Sequence, residues 1–447
     1  MSHAFNSTSA TWLGATPSSW QVDRLKDVVP QILGGGTPPS SDADSWDDGD
    51  IIWITPTDFS RSSGKVEISN SERRITSAGL HSCSATLLPR GTVIMASRAT
   101  IGTARIAGAE LATNQGFVSF VCNESVLHNR FLYYVIEGYL GEYFATIAPG
   151  TTFSEISRGK VKQEAIAFPT VGEQERIATY LDASCAAIDA AVADKRRQLE
   201  TLDEVRETVI ESAVTKGIHT PIATKQINED WIGEVPVHWE VCRIKRIVSQ
   251  VDYGISEATV EEGQFPVLKM AHIQRGELVF SNLDFVDEVA EALLLERGDL
   301  LYNRTNSPDQ VGKAAIFRGT KEDKLTFASY LVRLRTNHRA DPHFLNYLIN
   351  SSGFLAFARK LAIPSVQQSN LNSTRYCRML IPLPPLEEQL EIAAFLDSKV
   401  AEMRRVVTII NSQIETLVDY RKSLIHECVT GQRRVTETDL KRVQPYA

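Results

Sequence analysis

The sequence predicts an α+β protein made by tandem duplication, in which a domain of mixed strands and helices is followed by a long helix and the plan is then repeated. One observation is a repeat, since Glu173–Thr215 matches Glu388–Thr430 at 16 of 43 positions without a gap. Another is that apolar residues recur in both stretches at the heptad spacing of a coiled coil. A third is that short β-branched runs mixed with short helical patterns precede each stretch. We therefore expect the two long helices to form an antiparallel coiled coil.

The composition is that of a globular protein with more than one core. Its 447 residues exceed what one core usually organises, and 43% of them are hydrophobic and 23% charged. No apolar run reaches the roughly 18 residues of a membrane span, and the first residues lack the basic and apolar parts of a secretory signal. We therefore expect a cytoplasmic protein. Its six scattered cysteines are expected to be reduced thiols that bind no metal.

The repeat extends beyond the helices and predicts the domain bounds. WLGATPSSWQV (12–22) returns as WIGEVPVHWEV (231–241), and LPRGTVIMASR (88–98) faces LERGDLLYNR (295–304). Further on, IGTARIAG faces VGKAAIFRG, and FLYYVI faces FLNYLI. The predicted parts are a first domain (1–168), a first long helix (169–217), a second domain (218–380), a second long helix (381–431) and a tail (432–447).

Within each domain the local patterns are mixed. GTVIMAS, GFVSFVC, SYLVRLR and KAAIFR are short, apolar and bounded by turn residues, which predicts strands. HNRFLYYVIEGYL and DPHFLNYLINS have helical spacing, with caps expected near Asn129 and Asp341. The Gly- and Pro-rich stretch at 34–50 predicts a surface loop.

The long helices carry a narrow apolar seam. Steps of four and three residues alternate for more than four heptads, and Arg206 and Arg421 interrupt the two seams at the same place. Two alternatives remain open, namely that each helix docks on its own domain or that each pairs with another protein. The seam residues are Leu181, Ile188, Val192, Leu199 and Leu202 in the first helix, and Leu396, Met403, Val407, Ile410, Ile414 and Leu417 in the second.

Paired helices between two similar domains predict a ruler with two-fold symmetry. About 40 helical residues extend roughly 60 Å, and half-sites on DNA recur on one face about every 34 Å. The net charge of −8 does not exclude DNA, because the two helical stretches hold 11 basic and 18 acidic residues and so contribute nearly all of it. A DNA-facing surface outside the helices therefore remains possible.

Short motifs follow one another in a fixed order in each copy. The first copy carries GGGTPPS, WITPTDF, ASRATIG, TNQGF, GTTFSEIS and FPTVGEQERIATYLD. The second copy carries WIGEVPVHWEV, YNRT and IPLPPLEEQLEIAAFLD. In this order, the motifs resemble those of the specificity (S) subunits of type I restriction–modification systems over nearly the whole chain. The second copy departs from the first in carrying VDYGIS and FASYL where the first has GGTP and NQGF.

The resemblance implies two target-recognition domains, each of which reads one half of a split site in double-stranded DNA. It implies that the helices set the spacer and dock two methyltransferase (modification) subunits, with motor/endonuclease (restriction) subunits as further partners. S-adenosylmethionine, ATP and Mg would belong to those partners, and this chain would have no catalytic centre, cofactor or metal. The alternative is a duplicated coiled-coil scaffold that binds two protein partners and never contacts DNA.

Contacts to DNA need N–H or hydroxyl donors for phosphates and planar donors for base edges. The aligned segments LPRGTVIMASR and LERGDLLYNR both end in polar turns, and the alignment matches Arg98 with Arg304. Loops rich in hydrogen-bond donors precede both long helices. The alternatives are that each arginine pairs with a carboxylate of its own domain and that the loops are only solvated. The predicted DNA-contacting residues are Thr37, Thr57, Ser97, Arg98, Thr100, Thr151, Thr152, Ser154, Arg158, Lys269, His272, Asn303, Arg304, Thr305, Asn306, Ser365, Gln367, Gln368 and Asn370.

Two motifs resemble those of nucleotide-binding or methyltransferase sites, but neither matches fully. GGGTPPS lacks the lysine and the spacing of a phosphate-binding P-loop. DPHF lacks the second proline of the amino-methyltransferase signature, and Asp341 and Pro342 fit a helix cap and first turn. The sequence thus predicts a subunit that is not itself an enzyme.

Overall fold

The chain folds into two compact units, each of which contains part of both long helices. A computed structural model describes residues 5–7, 15–62, 64–150, 154–219, 223–365 and 368–443. The first unit comprises Met1–Arg196 and Asn411–Ala447, and the second comprises Arg197–Ile410. Within the described ranges, no helix is long and apolar enough to cross a membrane.

The first unit mixes short strands and short helices ahead of a long helix, α7, which continues into the second unit. Its strands are β1 Phe5–Ser7, β2 Ala15–Pro17, β3 Gln21–Arg24, β4 Gln31–Gly34, β5 Ile51–Ile54, β6 Glu67–Ile68, β7 Arg74–Ile75, β8 Val93–Ala96, β9 Ala104–Ala107, β10 Ala112–Thr113, β11 Phe117–Val121 and β12 Ala165–Phe168. Its helices are α1 Leu25–Val28, α2 Pro56–Arg61, α3 Ser77–His81, α4 Asn129–Val135, α5 Gly141–Ile147, α6 Arg158–Gln163 and α7 Val171–Lys216, with a π-helical turn at Ile136–Leu140.

The second unit repeats this order and ends with the start of the other long helix, α11. Its strands are β13 Thr224–Gln226, β14 Glu234–Pro236, β15 Glu240–Arg243, β16 Val248–Tyr253, β17 Phe265–Leu268, β18 Ile273–Gln274, β19 Gly276–Leu278, β20 Asp284–Val286, β21 Leu300–Asn303, β22 Thr305–Asn306, β23 Ala314–Ile316, β24 Thr326–Phe327, β25 Leu331–Thr336, β26 Ile363–Ser365, β27 Gln368–Asn370 and β28 Leu380–Leu383. The remaining helices are α8 Pro342–Ile349, α9 Ser352–Leu361, α10 Ser373–Arg378, α11 Leu386–Val429 and, in the tail, α12 Glu437–Val443.

Both units share one sheet plan. The main sheet has the order β4-β11-β8-β9-β6 in the first unit and β16-β25-β21-β23-β19 in the second, where β18 extends the edge. In each sheet the last pair is parallel, β6 with β9 and β19 with β23, while the other matched pairs are antiparallel. A smaller sheet has the order β10-β5-β7 in one unit and β24-β17-β20 in the other. This shared topology is what the sequence repeat predicts.

Within each unit the two long helices run antiparallel. In the first unit the early part of α7, with Leu181 and Cys185, shares a core with the late part of α11, with Leu424 and Cys428. In the second unit the late part of α7 shares a core with the early part of α11. Of the predicted seam residues, Leu181, Ile188, Val192, Leu396 and Ile410 are buried, and Leu199, Leu202, Met403, Val407, Ile414 and Leu417 are partly buried.

A fully buried glutamine anchors the start of each long helix. Gln174 accepts a hydrogen bond from His128 N (2.8 Å) and donates to the carbonyls of Val126 (3.0 Å) and Pro169 (2.9 Å). Gln389 makes the same set in the second unit, accepting from the Asp341 amide and donating to the Arg339 and Pro384 carbonyls. A buried amide must be bonded in this way to be tolerated, which explains why a glutamine recurs in the first turn of both helices.

The repeated Leu-Asp of the helix openings also binds the domain that precedes it. Tyr134 donates from its hydroxyl to Asp182 Oδ1 over 2.7 Å, and Tyr347 donates to Asp397 Oδ1 over the same distance. Burial, reinforced by Asp182, raises the pKa of Tyr134 well above its usual value, so this hydroxyl remains a donor. The ten residues recur because they dock each helix on its own α+β core.

Candidate nucleic-acid interface

In the first unit, the turn after β8 meets the loop that precedes α6. Ser97 is buried, its amide donates to the Gly116 carbonyl (2.8 Å), and its carbonyl accepts from Ile156 N (3.0 Å). Arg98 follows, and its Nε lies 2.9 Å from Glu155 Oε1 with both side chains almost half exposed. Arg98 therefore pairs with a carboxylate of its own domain, which was the alternative to a DNA contact.

The rest of this turn is exposed and held in an uncommon conformation. Ala99 has a φ of 58°, a left-handed conformation that costs a residue with a side chain free energy. Thr100 is exposed beside it. Backbone strain of this kind is concentrated at functional sites, where the surrounding structure maintains it.

The glycine-rich stretch packs against the backbone around Asn114 and Ala85 so closely that no room is left for side chains. A Cβ at Gly35 would lie 1.9 Å from the Asn114 carbonyl oxygen, and one at Gly36 would lie 2.5 Å from Ala85 N. The next residue, Thr37, is exposed and donates a hydrogen bond to Gln115 Oε1. These glycines thus bring Thr37 and Gln115 together at the surface.

Three more predicted residues lie around this site. Thr57 is exposed in the first turn of α2, and Ser154 donates from its hydroxyl to the Gly150 carbonyl (2.6 Å). Arg158 is exposed at the start of α6, and its guanidinium lies next to Gly34. Thr151 and Thr152 lie outside the described residues.

In the second unit, the matching segments form a small sheet. β22 pairs with β27, which in turn pairs with β26, so Thr305 faces Asn370 and Ser365 faces Gln368 in the backbone register. Asn370 Nδ2 donates to Thr305 Oγ1 over 2.9 Å. Asn306 Oδ1 accepts from the Ser307 amide. Gln368 is exposed, whereas Gln367 lies outside the described residues.

The structure corrects the predicted pairing of Arg98 with Arg304. Arg304 N donates to the Tyr330 carbonyl and its own carbonyl accepts from Leu371 N, which are the contacts that Ser97 makes in the first unit. Thr305 therefore occupies the position of Arg98, and the sequence match of the two arginines is wrong by one residue. The cause is visible in the chain, since Arg304 comes one residue earlier after the shared Arg-Gly.

Arg304 has aromatic rather than acidic neighbours. Its Cζ lies 5.2 Å from the centre of the Tyr253 ring, and the buried Nε has no hydrogen-bond partner among the described residues. Tyr253 is exposed, and so is Tyr330, whose carbonyl holds the arginine backbone. The preceding Asn303 is buried at the end of β21 and is not available at the surface.

Lys269 and His272 form a helix cap, in the position that Thr55 and Asp58 occupy in the first unit. The Lys269 amide donates to His272 Nδ1 over 2.7 Å, just as the Thr55 amide donates to Asp58 Oδ2 over 2.8 Å. His272 is buried, and its Nε2 lies 3.1 Å from the Ser281 carbonyl, so both ring nitrogens are occupied. These contacts favour a structural role for His272, and its counterpart in the first unit is Asp58.

Lys269 is more accessible to solvent than His272. Its ammonium group contacts Asp284 and Thr259 Oγ1, and its side chain remains about one-third exposed (38%). The hydrogen bond from Lys269 lowers the pKa of Asp284 below its usual value.

Sequence reasoning missed Gln115, Tyr253 and Tyr330, which lie beside the predicted residues. All three belong to stretches noted only for similarity or for departing from it, TNQGF, VDYGIS and FASYL. Their place in the repeat could have identified them as candidates, because each lies beside a strand end that carries predicted hydrogen-bond donors. Within the described ranges, no cluster of three or more His, Cys, Asp or Glu residues has the geometry of a metal site.

Comparison with known proteins gives one consistent result. The family model described as type I restriction modification DNA specificity domain matches residues 17–201 and 236–416. The type I restriction enzyme MjaIX specificity subunit of Methanocaldococcus jannaschii is 31% identical over 287 residues, 63% of this chain and 64% of that protein. The EcoKI specificity subunit of Escherichia coli K12 is 21% identical over 324 residues, 71% of this chain and 65% of that protein. The alignment with the MjaIX protein thus spans slightly less than two thirds of its length.

Solved structures share the fold. A chain from a type I R-M system matches with a TM-score of 0.71 at 16% identity, covering 94% of this chain and 99% of that one. The HsdS subunit from Thermoanaerobacter tengcongensis matches with a TM-score of 0.55 at 16% identity, covering 94% and 98%. The predicted α+β duplication with two long helices is confirmed. With both of its α+β segments matched by the family model, the chain belongs to the family of type I restriction–modification DNA specificity proteins.

Proposed function

We propose that this chain is the DNA sequence-specificity subunit of a type I restriction–modification complex and that each α+β domain reads one half of a split DNA site. The observation that carries the proposal is that each unit joins two donor-rich segments at one strand end, Arg98 with Glu155 and Thr305 with Asn370. Arg, Asn, Gln and Thr side chains at such a surface supply the donors that base edges and phosphates accept.

The two domains, residues 1–168 and 218–380, use different chemistry at this surface. In the first, Thr37 contacts Gln115, and the next residue, Gly116, accepts a hydrogen bond from the Ser97 amide beside the Arg98–Glu155 pair. In the second, Arg304 lies against Tyr253. Neighbouring planar groups of this kind can contact a base edge or a base face. Different side chains at matched positions would let the two halves of a site differ in sequence.

The long helices, 169–217 and 381–431, are proposed to set the spacer between half-sites and to dock two methyltransferase subunits. Restriction subunits would then join the complex through those partners. S-adenosylmethionine, ATP and Mg would act in the partner subunits, and this chain would contribute recognition without catalysis. The acidic helices carry 18 acidic and 11 basic residues, which suits a protein-binding surface better than a DNA-binding one.

The test is to co-express the chain with the methyltransferase subunit from its source genome and to map modified bases across host DNA by single-molecule sequencing. A split motif with a fixed gap is expected. Cells that express the methyltransferase alone provide the control and should show no such motif. A continuous motif, or no modification in either culture, would instead favour the scaffold that binds two proteins without DNA.

A further inference from the structure

The second unit contains a cavity of about 420 Å³ among α8, α9 and its parts of α7 and α11. Five cationic side chains line it, which is an unusual concentration in an acidic chain. They are Arg206, Arg275, Lys313, Arg359 and Arg404.

Acidic side chains balance only part of this charge. The cavity is lined by three carboxylates, Asp203, Glu207 and Glu277, against five cations, which leaves an excess of two positive charges. Asp203 lies 3.3 Å from Arg275 and 4.0 Å from Arg206, and Glu277 lies 3.5 Å from Arg404. Lys313 donates to a neutral acceptor, Gln310 Oε1 (2.9 Å).

The cations influence one another. Burial, then the neighbouring Arg275 and Arg404, lower the pKa of Arg206 below its usual value. Burial and the nearby Arg359 lower the pKa of Lys313 in the same way, against the opposing charge of Asp309. Such crowding of like charges is unfavourable, and an anion bound in the cavity would relieve it.

Three residues that line the cavity differ from their counterparts when the duplicated segments FLYYVIEG (131–138) and FLNYLINS (344–351) are aligned. Asn346 replaces the buried Tyr133 and leaves space. Asn350 replaces Glu137, but the hydrogen bond is kept. Asn350 accepts from the Ala314 amide and Glu137 from the matched Ala104 amide, each over 3.0 Å. The fold of this turn is therefore retained, while a carboxyl is exchanged for a neutral amide.

The third difference is Ser351, which replaces Gly138. In the first unit a Cβ at Gly138 would lie 2.9 Å from Val429, so α11 closes over that position. In the second unit Ser351 lines the cavity with only 2% of its surface exposed. Its Oγ has no hydrogen-bond partner in the described part of the chain, and neither has the buried Nε of Arg359. Two buried donors are thus available at a cationic cavity.

We propose that this cavity binds a small phosphate-bearing molecule of the nucleotide class. A phosphate group carries a charge near −2 at neutral pH and accepts hydrogen bonds from guanidinium and hydroxyl donors, which matches the excess charge and the free donors. Single phosphate ions need less space, whereas pockets for small organic ligands begin at about 300 Å³. This ligand site goes beyond the proposed reading of DNA and does not depend on it.

The test is isothermal titration calorimetry of the full chain with inorganic phosphate and, separately, with ATP in the absence of magnesium. Both are expected to bind, ATP more tightly. Asn350→Glu restores the carboxyl of the first unit among the cations, and Arg206→Met removes one cation. Each should weaken ATP binding about tenfold or more, as expected for the loss of one charge-assisted hydrogen bond. Arg246→Met, which removes an exposed cation of the same unit, should leave the affinity unchanged.

Other outcomes separate the possible sources of the phosphate. Absence of binding of both probes at millimolar concentration overturns the site, as does binding that persists in both Asn350→Glu and Arg206→Met. A short duplex of random sequence that displaces ATP, and whose own binding is lost in the same variants, would show that the cavity takes DNA phosphates and would overturn the small-molecule ligand. Ser351→Ala tests the hydroxyl with minimal risk to folding, and a several-fold weakening is expected.

Discussion

Asn370 donates a hydrogen bond from Nδ2 to Thr305 Oγ1 over 2.9 Å at the position where the first unit has the ion pair of Arg98 with Glu155. Where the strand end meets the loop, the first unit thus has a charged pair and the second unit has a neutral pair. A carboxylate at a DNA surface repels phosphates and competes for its arginine, so Glu155 is expected to lower non-specific affinity.

Replacement of Glu155 with Gln should therefore strengthen non-specific DNA binding by the assembled complex. It releases Arg98 for a phosphate contact, which should steepen the slope of log K against log salt by up to about 0.9. The measurement is a salt titration with duplexes that lack the recognition site. Glu110→Gln makes the same change of charge after β9, at the other end of the sheet, and should leave the slope unchanged. An unaltered slope in Glu155→Gln would mean that this junction does not face DNA.

Removal of either arginine should affect one half-site only. Arg98→Ala and Arg304→Ala are each expected to cost about 1–3 kcal/mol of discrimination, the value of one good base contact. Competition binding of the assembled complex with duplexes altered in one half-site measures this directly. Arg304→Lys retains the charge but loses the planar group over Tyr253, so it should behave like Arg304→Ala in specificity. If neither alanine variant alters sequence preference, the DNA-contact assignment of this turn is wrong.

The buried glutamines should be important for stability in both units. Gln174→Ala or Gln389→Ala removes three buried hydrogen bonds and leaves a backbone amide without its acceptor, so each should destabilise its unit by about 2–3 kcal/mol. Gln413→Ala, at an exposed position of α11, should change the stability by less than about 0.5 kcal/mol. Denaturant unfolding of the full chain measures all three. A loss that matches the Gln413→Ala control would show that the helix starts are not anchored in this way.

Much of this architecture was predictable because the repeat is long and because heptad spacing allows few interpretations. Leu181 and Leu396 could be placed on the seam from spacing alone. The register at the strand ends could not be predicted, since a shift of one residue changes the face on which a side chain lies. That is why Arg98 and Arg304 were paired, although Thr305 is the true counterpart of Arg98.

Burial explains the remaining differences between sequence and structure. Ser97, Asn303 and His272 are polar and were predicted to reach DNA, yet all three are buried. Polar residues of this kind complete backbone hydrogen bonds at turns and caps, and a linear sequence does not distinguish that role from ligand binding. Tyr253 and Tyr330 show the converse, because large aromatic residues suggest a core but both are exposed beside Arg304.

The stability of the first unit should depend on pH through Glu137. Although part of its side chain reaches solvent, desolvation by the surrounding protein raises the pKa of its carboxyl above the usual value of 4.5, against the opposing effects of its bond from the Ala104 amide and of Arg105 and Arg421. The folded state therefore holds this proton more tightly than the unfolded state does. The resulting stabilisation is complete below the unfolded pKa and is lost as pH rises through the folded pKa.

Glu137→Gln removes this dependence and keeps an acceptor for the Ala104 amide. The melting temperature of the variant should rise relative to that of the unmodified chain as the pH increases from 4 to 7, in scanning calorimetry at constant ionic strength. Glu142→Gln, at an exposed site on α5, provides the reference for a surface carboxyl. A difference that falls with pH would show that Arg421 and Arg105 outweigh burial, so that Glu137 acts as a stabilising carboxylate.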